Sequence, residues 1–260
     1  MVCVVRNSRQ KLSQGQIFWR ETGQGEAIVF IHGDRRDSSQ WSEYFETFGR
    51  KSHCIAPDLI GFGDSGRPRK QRYSIQWESE VLEELFDNIN LKQFYLMGDS
   101  LGAWIAARYA INNPERVKGL ILRSPLGVDT DRNPNYFWDS CLVSPLPIVP
   151  FFLKLISPIA TLFGLKRNLK NAFEQRKKLL RSPGTGKLLF RSGGKLKAEY
   201  LNYDLAQLTT PTLILSGEVD PEAHTLQAKT YARLIKHSEY QTFIGEAEAI
   251  SFLKKWLKNH

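Results

Sequence analysis

Apolar residues follow two alternating patterns along this chain. Short, nearly continuous runs, Ala27-Ile28-Val29-Phe30-Ile31, Phe94-Tyr95-Leu96-Met97, Val117 to Arg123, Thr212 to Leu215 and Tyr240 to Ile244, have the length and composition of strands. Between them lie segments with helical spacing. Ser74 to Ile89 puts Ile75, Leu82, Leu85, Phe86 and Ile89 on one face, as expected of a helix packed on a sheet. Ala103 to Ala110, Glu222 to Ile235 and Ala249 to Leu257 also read as helices. Alternation of this kind over 260 residues predicts one α/β domain with a mostly parallel central sheet and helices on both faces. There is no internal repeat.

The alternation stops between about Leu126 and Asp204. Cys141 to Leu165 is nearly all apolar, with Lys154 its only charge, and its 25 residues are enough to span a bilayer. Pro145, Pro147, Pro150 and Pro158 argue against one continuous helix, so the stretch is expected to form helices lining an apolar pocket, with interfacial membrane contact as the alternative. Lys166 to Lys197 then carries eleven Lys or Arg against one acid, Glu174, while the whole chain is only +9. A solvated face explains such a run. Beside an apolar surface it also suits peripheral contact with an anionic membrane, or an anionic substrate. Nucleic-acid binding is not expected, because no recognition motif accompanies the charge and few aromatics interleave with it.

Chemistry enters at Gly98-Asp99-Ser100-Leu101-Gly102, a G-x-S-x-G pentapeptide between a predicted strand and a predicted helix. A serine on that turn has its hydroxyl forced out at a helix N-terminus, where amide dipoles favour developing negative charge. Upstream, the strand ending at Ile31 runs into His32-Gly33-Asp34. Next comes Ile55-Ala56-Pro57-Asp58-Leu59-Ile60-Gly61-Phe62-Gly63-Asp64-Ser65-Gly66, and downstream Thr212 to Gly217 delivers Asp220 at a strand end. In this order the segments resemble the α/β-hydrolase superfamily of serine esterases and lipases over nearly the whole chain. The resemblance implies Ser100 as nucleophile, Asp220 as the triad acid, and the Asp34 and Leu101 N–H groups as the oxyanion hole. It also implies a hydrolase core at residues 1–125 and 205–260, with a cap (lid) insertion at 126–204.

The third triad member is missing from its usual place. Relatives hold a histidine in the loop after the last strand, but here Gly245-Glu246-Ala247-Glu248 leads straight into the final helix, as if a shortened loop had lost it. Serine is a poor nucleophile without a base. Either another histidine substitutes, or the scaffold turns over little or not at all. Of the five histidines, His32 belongs to the oxyanion segment, His53 and His237 flank strands, and His260 is terminal and expected to fray. His224, four residues past Asp220, is the remaining candidate base, although a helix starting at Pro221 would carry it away from the elbow.

The expected function is a serine hydrolase of carboxylic ester or thioester bonds on a small apolar acyl substrate. The alternative is a catalytically impaired hydrolase-fold protein that binds apolar ligands or a membrane surface. Two enzyme classes are excluded. The GDSL hydrolases carry Gly-Asp-Ser-Leu near the N-terminus and an Asp-x-x-His near the C-terminus, and haloalkane dehalogenases and epoxide hydrolases use an aspartate where Ser100 stands. Cys3, Cys54 and Cys141 are odd in number and far apart, so neither disulfide framework nor metal site is implied, and no cofactor is called for. The first residues hold no apolar segment long enough for a secretory signal, which points to a cytoplasmic setting.

Overall fold

The computed structural model describes residues 4–67, 73–134, 136–143, 151, 155, 166–190 and 193–260. Its strands are β1 (Arg6–Lys11), β2 (Gln16–Thr22), β3 (Glu26–Ile31), β4 (Ser52–Asp58), β5 (Phe94–Asp99), β6 (Val117–Arg123), β7 (Thr212–Gly217) and β8 (Ser238–Phe243). They form one sheet in the order β1-β2-β4-β3-β5-β6-β7-β8. The pairs β1–β2 and β2–β4 are antiparallel, and every pair from β4–β3 to β7–β8 is parallel. The crossovers place α1 (Ser42–Phe48), α2 (Ile75–Asn88) and α3 (Leu101–Asn112) between β3 and β6.

Central strands are apolar along most of their length because both of their faces are covered. On β3, Ala27, Val29 and Ile31 join one core while Ile28 and Phe30 join the other; on β5, Phe94 and Leu96 part from Tyr95 and Met97 in the same way. The first core is roofed by α2 and α3. Ser74 caps α2 by accepting the Trp77 N–H at 3.0 Å, and Val81, Leu82, Leu85 and Phe86 are buried. Each such side chain contributes about 1.5–3 kcal/mol on leaving water. The opposite core is closed by α1 and the C-terminal helix.

Between β6 and β7 the described chain carries α4 (Phe137–Leu142), α5 (Lys166–Arg181), α6 (Pro183–Leu189) and α7 (Gly193–Lys197). Most of the apolar stretch 141–165 lies outside the described residues. No helix among the described residues is long and apolar enough to cross a membrane. After β7 come α8 (Glu222–Leu234), the edge strand β8, and α9 (Glu246–Trp256), so only Ile244 and Gly245 separate β8 from α9. His260 does not fray as expected: its ring stacks on Trp256 at 4.4 Å and Nδ1 contacts the Trp256 carbonyl at 3.2 Å.

Candidate active site

Ser100 links β5 to α3 with φ 51° and ψ −110°, a backbone a non-glycine residue holds at a cost of about 1–3 kcal/mol and only where its surroundings impose it. They do so here. The Ser100 N–H donates to the Arg123 carbonyl at 2.8 Å, and the Ser100 carbonyl accepts from Trp104 and Leu126 at 3.2 and 3.3 Å. The flanking glycines permit the close approach: a Cβ on Gly98 would stand 2.4 Å from the Gly102 carbonyl oxygen, and one on Gly102 would stand 2.4 Å from that of His32.

The loop after β3 faces this elbow. Ser100 Oγ donates to Asp34 Oδ1 at 3.2 Å, and Asp34 Oδ2 accepts from Arg35 Nε at 2.8 Å. The other end of the Arg35 fork reaches Asp139 of α4 at 3.5 Å. Among the described residues, neither the Asp34 nor the Leu101 N–H has a protein acceptor. His32 is fully buried. The Leu59 N–H donates to its Nε2 at 3.0 Å, which leaves Nδ1 to carry the proton and donate to the Gly33 carbonyl at 2.8 Å. Burial lowers its pKa against the nearby Asp58, Asp37 and Asp99 carboxylates, so the ring is a neutral strut and not a base.

A second layer fixes the two halves of the site to each other. Gln40 accepts the Gly33 N–H at 3.0 Å and donates to Asp99 Oδ2 at 2.7 Å, joining the oxyanion loop to the elbow. Arg123, at the end of β6, donates through Nε to Asp99 Oδ1 at 2.7 Å and through a terminal nitrogen to Glu246 of α9 at 2.5 Å. Its guanidinium also lies 5.0 Å above the Trp41 ring. Burial alone would raise the Asp99 carboxyl, but Arg123 and the hydrogen bonds from Arg123 and Gln40 outweigh it and hold it below its ordinary value. Asp99 is thus engaged at both oxygens, by Gln40 and Arg123. Sequence reasoning missed Gln40, Arg123 and Glu246; a charged residue closing an apolar strand, as Arg123 does, was the signal, since a buried charge needs a partner.

Asp220 lies in the turn three residues past β7, where Oδ2 accepts from Ser124 Oγ at 2.6 Å and from the Gly217 N–H at 2.8 Å. The structure thus brings Ser100 to Asp34, and Asp220 to Ser124. It does not bring His224 to either: this residue sits in the first turn of α8, its N–H on the Pro221 carbonyl, and among the described residues no imidazole hydrogen-bonds Ser100 or Asp220. The physical reason is the short β7–α8 connection, which starts the helix two residues after Asp220. His53 is occupied by Glu21 at 3.0 Å.

Beside the site, α4 and the helices that follow it line an open cleft of about 330 Å³ whose walls include Tyr136 and the apolar Phe137, Leu189, Phe190 and Leu196 together with the polar Ser140 and Lys197. Burial, and then the nearby Asp34 carboxylate, push the Tyr136 hydroxyl pKa up, which marks this wall as a neighbour of the site.

Residues 26–157, just over half of the chain, match the family described as alpha/beta hydrolase fold. The chain belongs to that family. An uncharacterized protein of Mycobacterium tuberculosis is 34% identical over 115 residues, which cover 44% of this chain and 33% of the relative. Haloalkane dehalogenase 2 of the same organism is 31% identical over 110 residues, covering 42% of this chain and 38% of the relative. The chain therefore matches only about a third of the length of these curated relatives. A solved putative lipase from Acinetobacter baumannii shares this α/β-hydrolase fold with a TM-score of 0.74 at 23% identity, covering 98% of this chain and 93% of the other.

Proposed function

We propose that the protein is a serine hydrolase of apolar carboxylic esters or thioesters, acting through an acyl-enzyme on Ser100. The observation that carries this reading is the strained, positive-φ serine at a helix N-terminus, with the Asp34 and Leu101 amides beside it unengaged among the described residues. In this reading the Asp34 and Leu101 N–H groups hold the oxyanion, Asp220 is the acid of the site, and the cleft walled by Tyr136 and Phe190 takes the apolar acyl chain. Turnover is slow: sites stripped of a triad member keep only about 10³–10⁴-fold catalysis over water. Incubating the folded protein with a fluorophosphonate probe tests the reading. Labelling that disappears in Ser100→Ala supports it; no labelling of wild type overturns it.

A second reading, binding of apolar ligands without turnover, is favoured by one observation: Ser100 and Asp220 each have a partner that is not an imidazole. Saturable binding of a fluorescent fatty acid to protein that resists the fluorophosphonate is its expected signature.

A further inference from the structure

We infer that the Asp34 carboxylate is the proton acceptor for Ser100. This rests on the acyl-transfer reading and assigns the base that it lacks. Asp34 Oδ1 already accepts the Ser100 hydroxyl at 3.2 Å, within the looser range expected of a catalytic pair before substrate binds. The geometry is held from both sides. Arg35 fixes the other carboxylate oxygen at 2.8 Å, and its own N–H is anchored on Thr185 Oγ1 of α6 at 3.1 Å. Gln40 ties the same loop to the elbow through Gly33 and Asp99. The acceptor and the nucleophile are therefore positioned by groups that do not themselves react.

The steps balance without any further reagent. As Ser100 Oγ bonds to the acyl carbon, its proton passes to Asp34 Oδ1 and the carbonyl π pair moves onto the oxygen facing the Asp34 and Leu101 amides. A carboxylate beside an oxyanion hole would repel the charge that forms there. Taking the proton neutralises Asp34 at the moment the oxyanion appears, which removes the repulsion. Collapse of the intermediate expels the alkoxide or thiolate, which takes the proton from Asp34. Water then attacks the acyl-enzyme with the same carboxylate accepting its proton, and Ser100 is reprotonated as the acid product leaves. The side chain thus serves as base while the N–H of the same residue serves the oxyanion, two roles a single loop position can hold because they use different atoms.

The test is the rate of fluorophosphonate labelling in wild type, Ser100→Ala, Asp34→Asn and Asp34→Ala, with thermal unfolding showing that each variant is folded. Asn keeps the shape and the backbone N–H of residue 34 but is not a base. General base catalysis contributes roughly 10²–10⁴-fold, so Asp34→Asn should label slower by about that factor. Formate added to Asp34→Ala should restore labelling in a concentration-dependent way, a response that a merely structural aspartate would not give. Asp34→Asn labelled at the wild-type rate or faster, or Asp34→Ala slowed but unmoved by formate, overturns the assignment while leaving the acyl-transfer reading in place. Folded wild type that resists the probe removes both.

Discussion

Two carboxyl groups outside the chemistry show how single residues respond to this interior, with opposite signs. Glu78 on α2 is fully buried, and among the described residues neither of its oxygens finds a hydrogen-bond partner. Burial therefore drives its pKa well above the usual value, against an opposing Ile60 amide that lies outside hydrogen-bond geometry. Its folded pKa exceeds its unfolded one, so it weakens the fold as pH climbs from about 4.3, where an unfolded Glu ionises, toward the folded value. Glu78→Gln should raise the melting temperature by several degrees at pH 7, with the gain shrinking toward pH 4; calorimetry across that range checks it. Asp99 runs the other way. Arg123 and Gln40 depress its pKa, so the stability it contributes is present above about pH 4 and fades as the medium becomes more acidic. Asp99→Asn should accordingly flatten the acid limb of the stability curve. Gly102→Ala tests the elbow itself: with the new methyl 2.4 Å from a backbone oxygen, urea unfolding should show a loss of about 1–3 kcal/mol or more.

At the level of elements, the strands and helices that could be read from the sequence were those whose apolar period had no competitor. Ile75 to Asn88 and the β5–Ser100–α3 unit fall where the apolar spacing and the glycines place them. The absence of room for a histidine after β8 was legible too, since Glu246-Ala247-Glu248 is a helix start: the Ile244 N–H is capped by Glu248 at 2.6 Å. The side-chain contacts that assemble the site were not legible. The motifs brought the backbone of Asp34 to Ser100, but nothing in them encodes the bond between the two side chains, and the Arg123–Glu246 pair, 123 positions apart, belongs to no period or motif. The Arg123–Asp99 pair is the strut most exposed to test. Arg123→Met leaves Asp99 buried without its cation and should destabilise by about 3–5 kcal/mol, seen as a shifted denaturant midpoint. Grafting a histidine-bearing loop between Gly245 and Glu246, with Glu246 kept on Arg123, should raise esterase turnover by orders of magnitude; no gain would show that the rest of the site is not arranged for acyl transfer.

At the scale of the whole molecule, the sheet separates two cores and presents both halves of the site along its C-terminal edge, where β3, β5, β6 and β7 end. The described helices between β6 and β7 meet that edge through several polar contacts, among them Thr185 accepting the Arg35 N–H and Gly184 donating to the Gly61 carbonyl. Another runs through the Arg35 side chain, whose guanidinium holds Asp34 with one nitrogen and Asp139 of α4 with another. That fork ties α4 to the carboxylate that holds the Ser100 hydroxyl, so any outward displacement of α4 would have to break the Arg35–Asp139 pair or pull on Asp34.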